Sequence, residues 1–246
     1  MPYQENRSAP GYWLYDGLPI QADVETHQLT VRIAMDLLAH GSDVLDVAAG
    51  HGALSKSLID AGYRVACTSW NDNVDLNIEC YRIDLDKAFT RADVGSRGYA
   101  LVCALEIIEH VENPAQLLRS LASLLDEGGI LVLSTPNVES AQARVEWFLR
   151  GCPYIFSGPE ISENRHIAML WRQGLEKFIE LAGFDILNKH LTGQFRFSSS
   201  WQAALRRPVY WLMQILLPGD LRGSSRVYAL QRSARVPHVL GAEEVA

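Results

Sequence analysis

The sequence predicts an α/β protein with a doubly wound, mostly parallel sheet. Three observations carry that reading. A short apolar strand at 44–47 runs into a small-residue turn at 48–52, and a helix opens immediately after it. Downstream, apolar runs of strand length alternate with stretches of helical periodicity, the pattern of βαβ units. The run at 100–105 (ALVCAL) is continuously apolar, as in a central strand covered on both faces. The turn itself predicts a pocket for a nucleotide-like cofactor. Glycines allow close approach of the backbone, and the free N–H groups of the following helix face the ligand.

The elements follow in order. Residues 1–20 hold Pro2, Pro10, Gly11, Gly17 and Pro19 among aromatics and read as an irregular arm, part of a lid on the substrate side. Residues 23–39 are helical, with Leu29, Ile33, Leu37 and Leu38 at threes and fours, Asp23 as N-cap and Gly41 as the stop. Helix 53–61, strand 63–69, a polar segment at 71–76 and a strand at 78–83 come next. Helix 114–125 has Pro114 in its first turn and Gly128-Gly129 as its terminator, and strand 130–134 follows. Further on lie a helix at 138–149, a long loop at 151–165, an amphipathic helix at 170–181, a strand from 184 and a seventh at 225–231. Three segments result: an N-terminal arm and helix at 1–40, a cofactor-binding core at 41–192, and a C-terminal segment at 193–246 that includes a helical insertion, completes the sheet and covers the acceptor pocket.

Composition bounds the function. The 246 residues, 48% hydrophobic, bury one substantial core with a small appendage. A formal charge of −7 argues against a general nucleic-acid binder, which needs a basic face. Cys67, Cys80, Cys103 and Cys152 form no CxxC pair and read as buried thiols of a reducing compartment. There is no apolar signal core, and no run approaches the roughly 20 residues of a membrane span. The expectation is a cytoplasmic protein.

Four ordered stretches resemble the class I S-adenosylmethionine (SAM)-dependent methyltransferases: VLDVAAGHG at 44–52, DLD at 84–86, ALEIIEHVENP at 104–114 and GGILVLSTPN at 128–137. The last two are most similar to the subgroup that includes ubiquinone-pathway O-methyltransferases. A nicotinamide site fits less well, because Gly50-x-Gly52 is followed by Ser55 where that fingerprint has a third glycine. The resemblance implies a seven-stranded Rossmann-like sheet binding SAM. It implies that Asp46 orients the turn and the methionine amino group, that the Ala48 and Gly50 backbone, with Gly52 beside it, frames the amino-acid part, and that Asp84 accepts from the adenine amino group over Leu85. Leu105, at the end of the fourth strand, joins the same set. Two departures stand out. Ala48 replaces the usual glycine, a change permitted if φ stays negative. Ser69 stands where the family has a ribose-binding acid, leaving Ser69 or Asn71 to bond the ribose and Trp70 to stack on adenine. His51 reads as a cofactor-side contact or an exposed turn residue.

Glu106, Glu109 and His110 stand at i, i+3 and i+4, so a helix here brings them to one face, beyond the fourth strand where such sheets bind ligands. Two carboxylates and an imidazole suit Mg²⁺ or Mn²⁺. The pattern resembles the metal site of ubiquinone-pathway O-methyltransferases and of plant small-RNA 2′-O-methyltransferases. By the latter resemblance His166 completes the set of Glu106, Glu109, His110 and His166. Without a metal, His110 or His166 is the candidate general base, with Glu106 oriented beside the cofactor. The expected acceptor is a small-molecule hydroxyl; the rivals are an RNA 2′-O-methyltransferase and a non-catalytic SAM-binding protein. The 193–224 segment sets Arg206, Arg207 and Arg222 beside Trp201, Tyr210 and Trp211, suited to a lipid-linked acceptor or a membrane surface, or else a helix covering the sheet.

Overall fold

A computed structural model describes residues 2–6, 12–70, 74, 76–195 and 200–233, and of residues 200–203 only the backbone. Its centre is a seven-stranded sheet built from β4 (Asp43–Val47), β5 (Arg64–Thr68), β6 (Cys80–Tyr81), β7 (Tyr99–Ala104), β8 (Leu125–Pro136), β9 (Phe184–Thr192) and β10 (Ser225–Arg232). The spatial order is β6-β5-β4-β7-β8-β10-β9. All pairings are parallel except those of β10, which runs antiparallel to both β8 and β9. The order reverses between β4 and β7, and in such a sheet the crevice beyond the strand ends at that switch point takes the ligand.

The sheet is covered on both faces, as its composition requires. Leu101, Val102, Cys103 and Ala104 of β7 are all fully buried. One face packs on α3 (Pro114–Leu124) and α6 (Arg172–Leu181), the other on α1 (Val24–Leu37) and α2 (Ala53–Asp60). In α3, Leu117, Leu118, Leu121 and Leu124 recur at helical spacing and are completely buried, each worth roughly 2 kcal/mol. Asn113 caps this helix by accepting from Gln116 N (3.0 Å), with Pro114 in the first turn. Asp23 caps α1 through Glu25 N at 2.9 Å, as its sequence position predicts.

Several expected elements take another form. The N-terminal arm is not irregular throughout: β1 (Tyr3–Glu5), β2 (Trp13–Tyr15) and β3 (Leu18–Pro19) form an antiparallel sheet, anchored to Ala53 of α2 by Tyr15 and Ile20. The strand expected at 78–83 shrinks to Cys80–Tyr81 at the sheet edge. Gly128-Gly129 does not stop α3, which ends at Leu124. The pair lies inside β8, where the chain bulges between the Tyr99↔Leu125 and Leu101↔Ile130 pairings, and Gly128 takes φ +71°. The 151–165 loop contains α5 (Gly158–Asn164) after α4 (Ala141–Arg150). Near the C-terminus the 193–224 segment forms α7 (Ser200–Leu216), with Pro208 inside it. Of the cysteines, Cys67 and Cys103 are buried as expected, whereas Cys80 is exposed.

The turn after β4 corrects one expectation directly. Ala48 has φ +59°, in the left-handed region, so its methyl group is accommodated at a steric cost. Two bonds hold it there: Ala48 N donates to Thr68 Oγ1 (3.0 Å) and Ala49 N to Thr68 O (2.9 Å). Ala48→Gly relieves the strain and loosens the unfolded chain, two effects of opposite sign. The relief is the larger, so the variant is expected to gain about 0.5–1 kcal/mol in urea denaturation.

Candidate functional site

Two clusters of predicted residues lie beyond the strand ends. The first surrounds the 48–52 turn. Asp46 is buried beneath it and accepts from Ser55 Oγ at 2.6 Å, a bond that ties the strand to the first turn of α2. Burial pushes the Asp46 carboxyl up to about 6, the Ser55 hydroxyl and N–H pulling the other way. Gly50 (φ +57°) and Gly52 (φ +85°) need glycine for a second reason besides φ. A Cβ on Gly50 would collide with the Gln21 carboxamide, and one on Gly52 would lie 2.9 Å from Leu76. His51 is half-buried.

Around this turn the remaining cofactor candidates are held by protein partners. Ser69 N donates to Tyr81 O at 3.1 Å. Trp70 is 60% exposed, with the Arg82 guanidinium 5.3 Å from its ring centre. Asp84 accepts from Asp86 N (3.1 Å) and pairs with Lys87 (3.1 Å); Lys87 first, then that N–H, hold its carboxyl below the usual range. Leu85 and Leu105 pack at the margins of the two main cores. Asn71 lies outside the described residues.

The second cluster gathers Glu109, His110 and His166, one ligand atom of each within 4.8 Å of the others. It forms differently from the expectation. Residues 106–110 do not make a helical face: Glu106 takes φ +50°, and only 108–110 close a single 3₁₀ turn. Glu106 accordingly stands outside the trio. Its N–H and Oε1 both engage Ser134 Oγ, at 3.0 and 2.7 Å.

The trio is ordered by its surroundings. Glu109 is 1% exposed and accepts from Thr135 Oγ1 through Oε2 (3.1 Å), while Oε1 faces His110 Nε2 at 4.0 Å. The Glu109 carbonyl accepts from both Ile167 N (3.0 Å) and Ala168 N (2.9 Å), docking the segment that carries His166. His110 Nδ1 lies 2.7 Å from Asn164 O, and His166 Nδ1 lies 2.7 Å from Ile155 O. A carbonyl only accepts, so each Nδ1 carries a proton, and Nε2 is the nitrogen left to face the site. The rings meet edge to face at 4.6 Å. Burial and the neighbouring Glu106 carboxylate drive Glu109 well above the usual glutamate range. Burial, and then His166, lower His110.

Both imidazoles with an oriented Nε2 and a buried carboxylate form a set able to hold a divalent cation or to accept a proton. Sequence reasoning missed the residues that build this arrangement: Thr68, Ser134 and Thr135 at strand ends, Gln21 over the turn, and the Asn164 and Ile155 carbonyls. The hydroxyls closing an apolar strand (CT at 67–68, ST at 134–135) were the visible signal. The carbonyls had none.

The comparisons agree with this architecture. A family model described as a methyltransferase domain matches residues 21–189. The chain is 29% identical over 182 residues to the mitochondrial ubiquinone biosynthesis O-methyltransferase of Arabidopsis thaliana, covering 64% of this chain and 53% of that protein. The corresponding enzyme of Cereibacter sphaeroides is 28% identical over 154 residues, or 55% of this chain and 61% of the relative. The chain thus spans little more than half the length of these relatives. The structure of the magnesium protoporphyrin IX methyltransferase of Synechocystis PCC 6803 with bound SAH matches with TM-score 0.59 at 19% identity, over 85% of this chain and 83% of that one. The chain belongs to the methyltransferase domain family, and its fold is that of the class I SAM-dependent methyltransferases.

Glu109 holds its proton more tightly folded than unfolded, so stability falls as pH rises above the usual glutamate range. Glu109→Gln removes that contribution. Thermal unfolding in metal-free buffer at about pH 5 and about pH 8 is expected to show a smaller drop for the variant than for the parent. Equal drops would contradict the assignment.

Proposed function

We propose that this chain binds SAM at the 46–52 turn and transfers its methyl group to a hydroxyl oxygen of a small-molecule acceptor beside Glu109, His110 and His166. The observation that carries the reading is the pair of oriented histidines next to a buried carboxylate, at the switch-point edge that also holds the glycine turn. The O-methyltransferase names of the relatives support oxygen as the acceptor atom.

The turn fits the proposed cofactor in two respects. Its positive-φ glycines leave the backbone open to close approach, and a buried carboxylate beneath it complements a cationic amino group. SAM supplies an already activated sulfonium methyl, so the residues act mainly by alignment, worth about 7–11 kcal/mol. Asp46 orients the turn. His110 or His166 takes the acceptor proton at Nε2, and the Asn164 and Ile155 carbonyls stabilise the resulting imidazolium at Nδ1–H.

Glu109, His110 and His166 are also the residues that would hold a divalent cation; Glu106, bonded to Ser134, would support the site from outside it. Two nitrogens and one carboxylate oxygen favour Mn²⁺ over Mg²⁺. Such an ion would supply positive charge that lowers the acceptor hydroxyl pKa.

Two measurements test the proposal. Calorimetric titration with S-adenosylhomocysteine is expected to show binding that weakens as pH falls through about 6, where Asp46 loses its charge, and Asp46→Asn is expected to flatten that dependence. Absence of binding at any pH refutes the reading. Labelled-methyl transfer to phenolic acceptors should fall about 100-fold or more in the His110→Ala/His166→Ala double variant. Undiminished transfer in EDTA and in Glu109→Gln would remove the cation from the proposal.

A further inference from the structure

Helices α4 and α7 touch through a small buried contact of Ala141, Tyr210 and Leu221, edged by Val145, Phe195 and Met213. Outside it, both helices turn large apolar side chains to solvent. Phe148 is 89% exposed, Trp211 64% and Leu216 67%. Along α7, Leu205, Val209, Leu212 and Leu216 recur at threes and fours and form one exposed stripe, and Trp211 is exposed about 100° further round the helix. Soluble proteins seldom leave such a run of apolar surface without a partner.

The charges select the partner. The whole chain carries −7, yet α4 and α7 together hold Arg144, Arg150, Arg206 and Arg207 against Glu146 alone. Glu146 is buried and accepts from Tyr154 N at 2.8 Å, so the exposed charge of these two helices is cationic. Two copies joined through this face would oppose like charges. An anionic bilayer complements it: the apolar side chains enter the acyl boundary while arginines reach the headgroups. Among the described residues, no helix is long and apolar enough to cross a membrane, which leaves α7 to lie in the plane of the interface.

We propose that the α4–α7 surface docks this protein on an anionic lipid bilayer. The surface is joined to the candidate site along the chain. From α4 the chain passes directly to Tyr154 and Ile155, and the Ile155 carbonyl fixes His166. The proposal stands apart from the catalytic reading: loss of cofactor binding would leave it intact.

Co-sedimentation of the full chain with vesicles of phosphatidylcholine alone, and of phosphatidylcholine with an equal part of phosphatidylglycerol, tests it. Binding is expected to the second kind, weakening with added salt. Arg150→Gln should reduce partitioning about fivefold. Phe148→Ser and Trp211→Ser should each reduce it roughly tenfold or more. Unchanged thermal midpoints in these variants separate a lost docking face from a lost fold. The proposal is overturned if the chain stays in the supernatant with both vesicle types, if the variants bind like the parent, or if light scattering shows a dimer that Trp211→Ser dissolves without any vesicle binding.

Discussion

The candidate catalytic edge depends on the burial of Glu109. A carboxylate excluded from water near a second acid is costly, and the chain answers it with an ordered shell. Thr135 donates to one oxygen, the other faces an imidazole, and the residue's own carbonyl receives two N–H groups from 167 and 168. Those two bonds bring His166 back to the sheet edge from across α5. Without them the two histidines would belong to separate loops.

The glycine turn uses the same economy on the other side of the switch point. Thr68, at the end of the neighbouring strand, holds two successive N–H groups of the turn, and Ser55 returns from α2 to the carboxylate beneath. Three consecutive elements are thereby stitched at one point. That rigid junction lets Ala48 persist with positive φ, because the bonds on either side fix a conformation that alanine by itself disfavours.

Much of this was legible in the sequence, and the parts that were not share a physical cause. Strand and helix periodicity gave the order of the core, since burial on two faces writes itself into runs such as 100–105. Residues 106–110 misled, because i, i+3, i+4 spacing signals convergence only if the backbone is helical. Glu106 instead turns left-handed to reach Ser134, which leaves Glu109 and His110 with the expected His166. Gly128-Gly129 misled in a similar way, since glycine marks an unusual φ without saying whether a helix stop or a strand bulge needs it. Contacts supplied by backbone carbonyls, such as those on His110 and His166, carry no side-chain signature at all.

The reversed strand β10 has a consequence for how the molecule comes into being. It fills the gap between β8 and β9, pairing with both along nearly its whole length. Until residues 225–232 have been synthesised, two finished strands wait with open edges and no neighbour between them. The sheet is closed by a segment that arrives more than 30 residues after β9 ends at Thr192, a long loop to shut late in folding. Over that interval the nascent chain carries unpaired edges of the kind that recruit other strands, so its solubility during synthesis rests on how soon that closing strand is delivered.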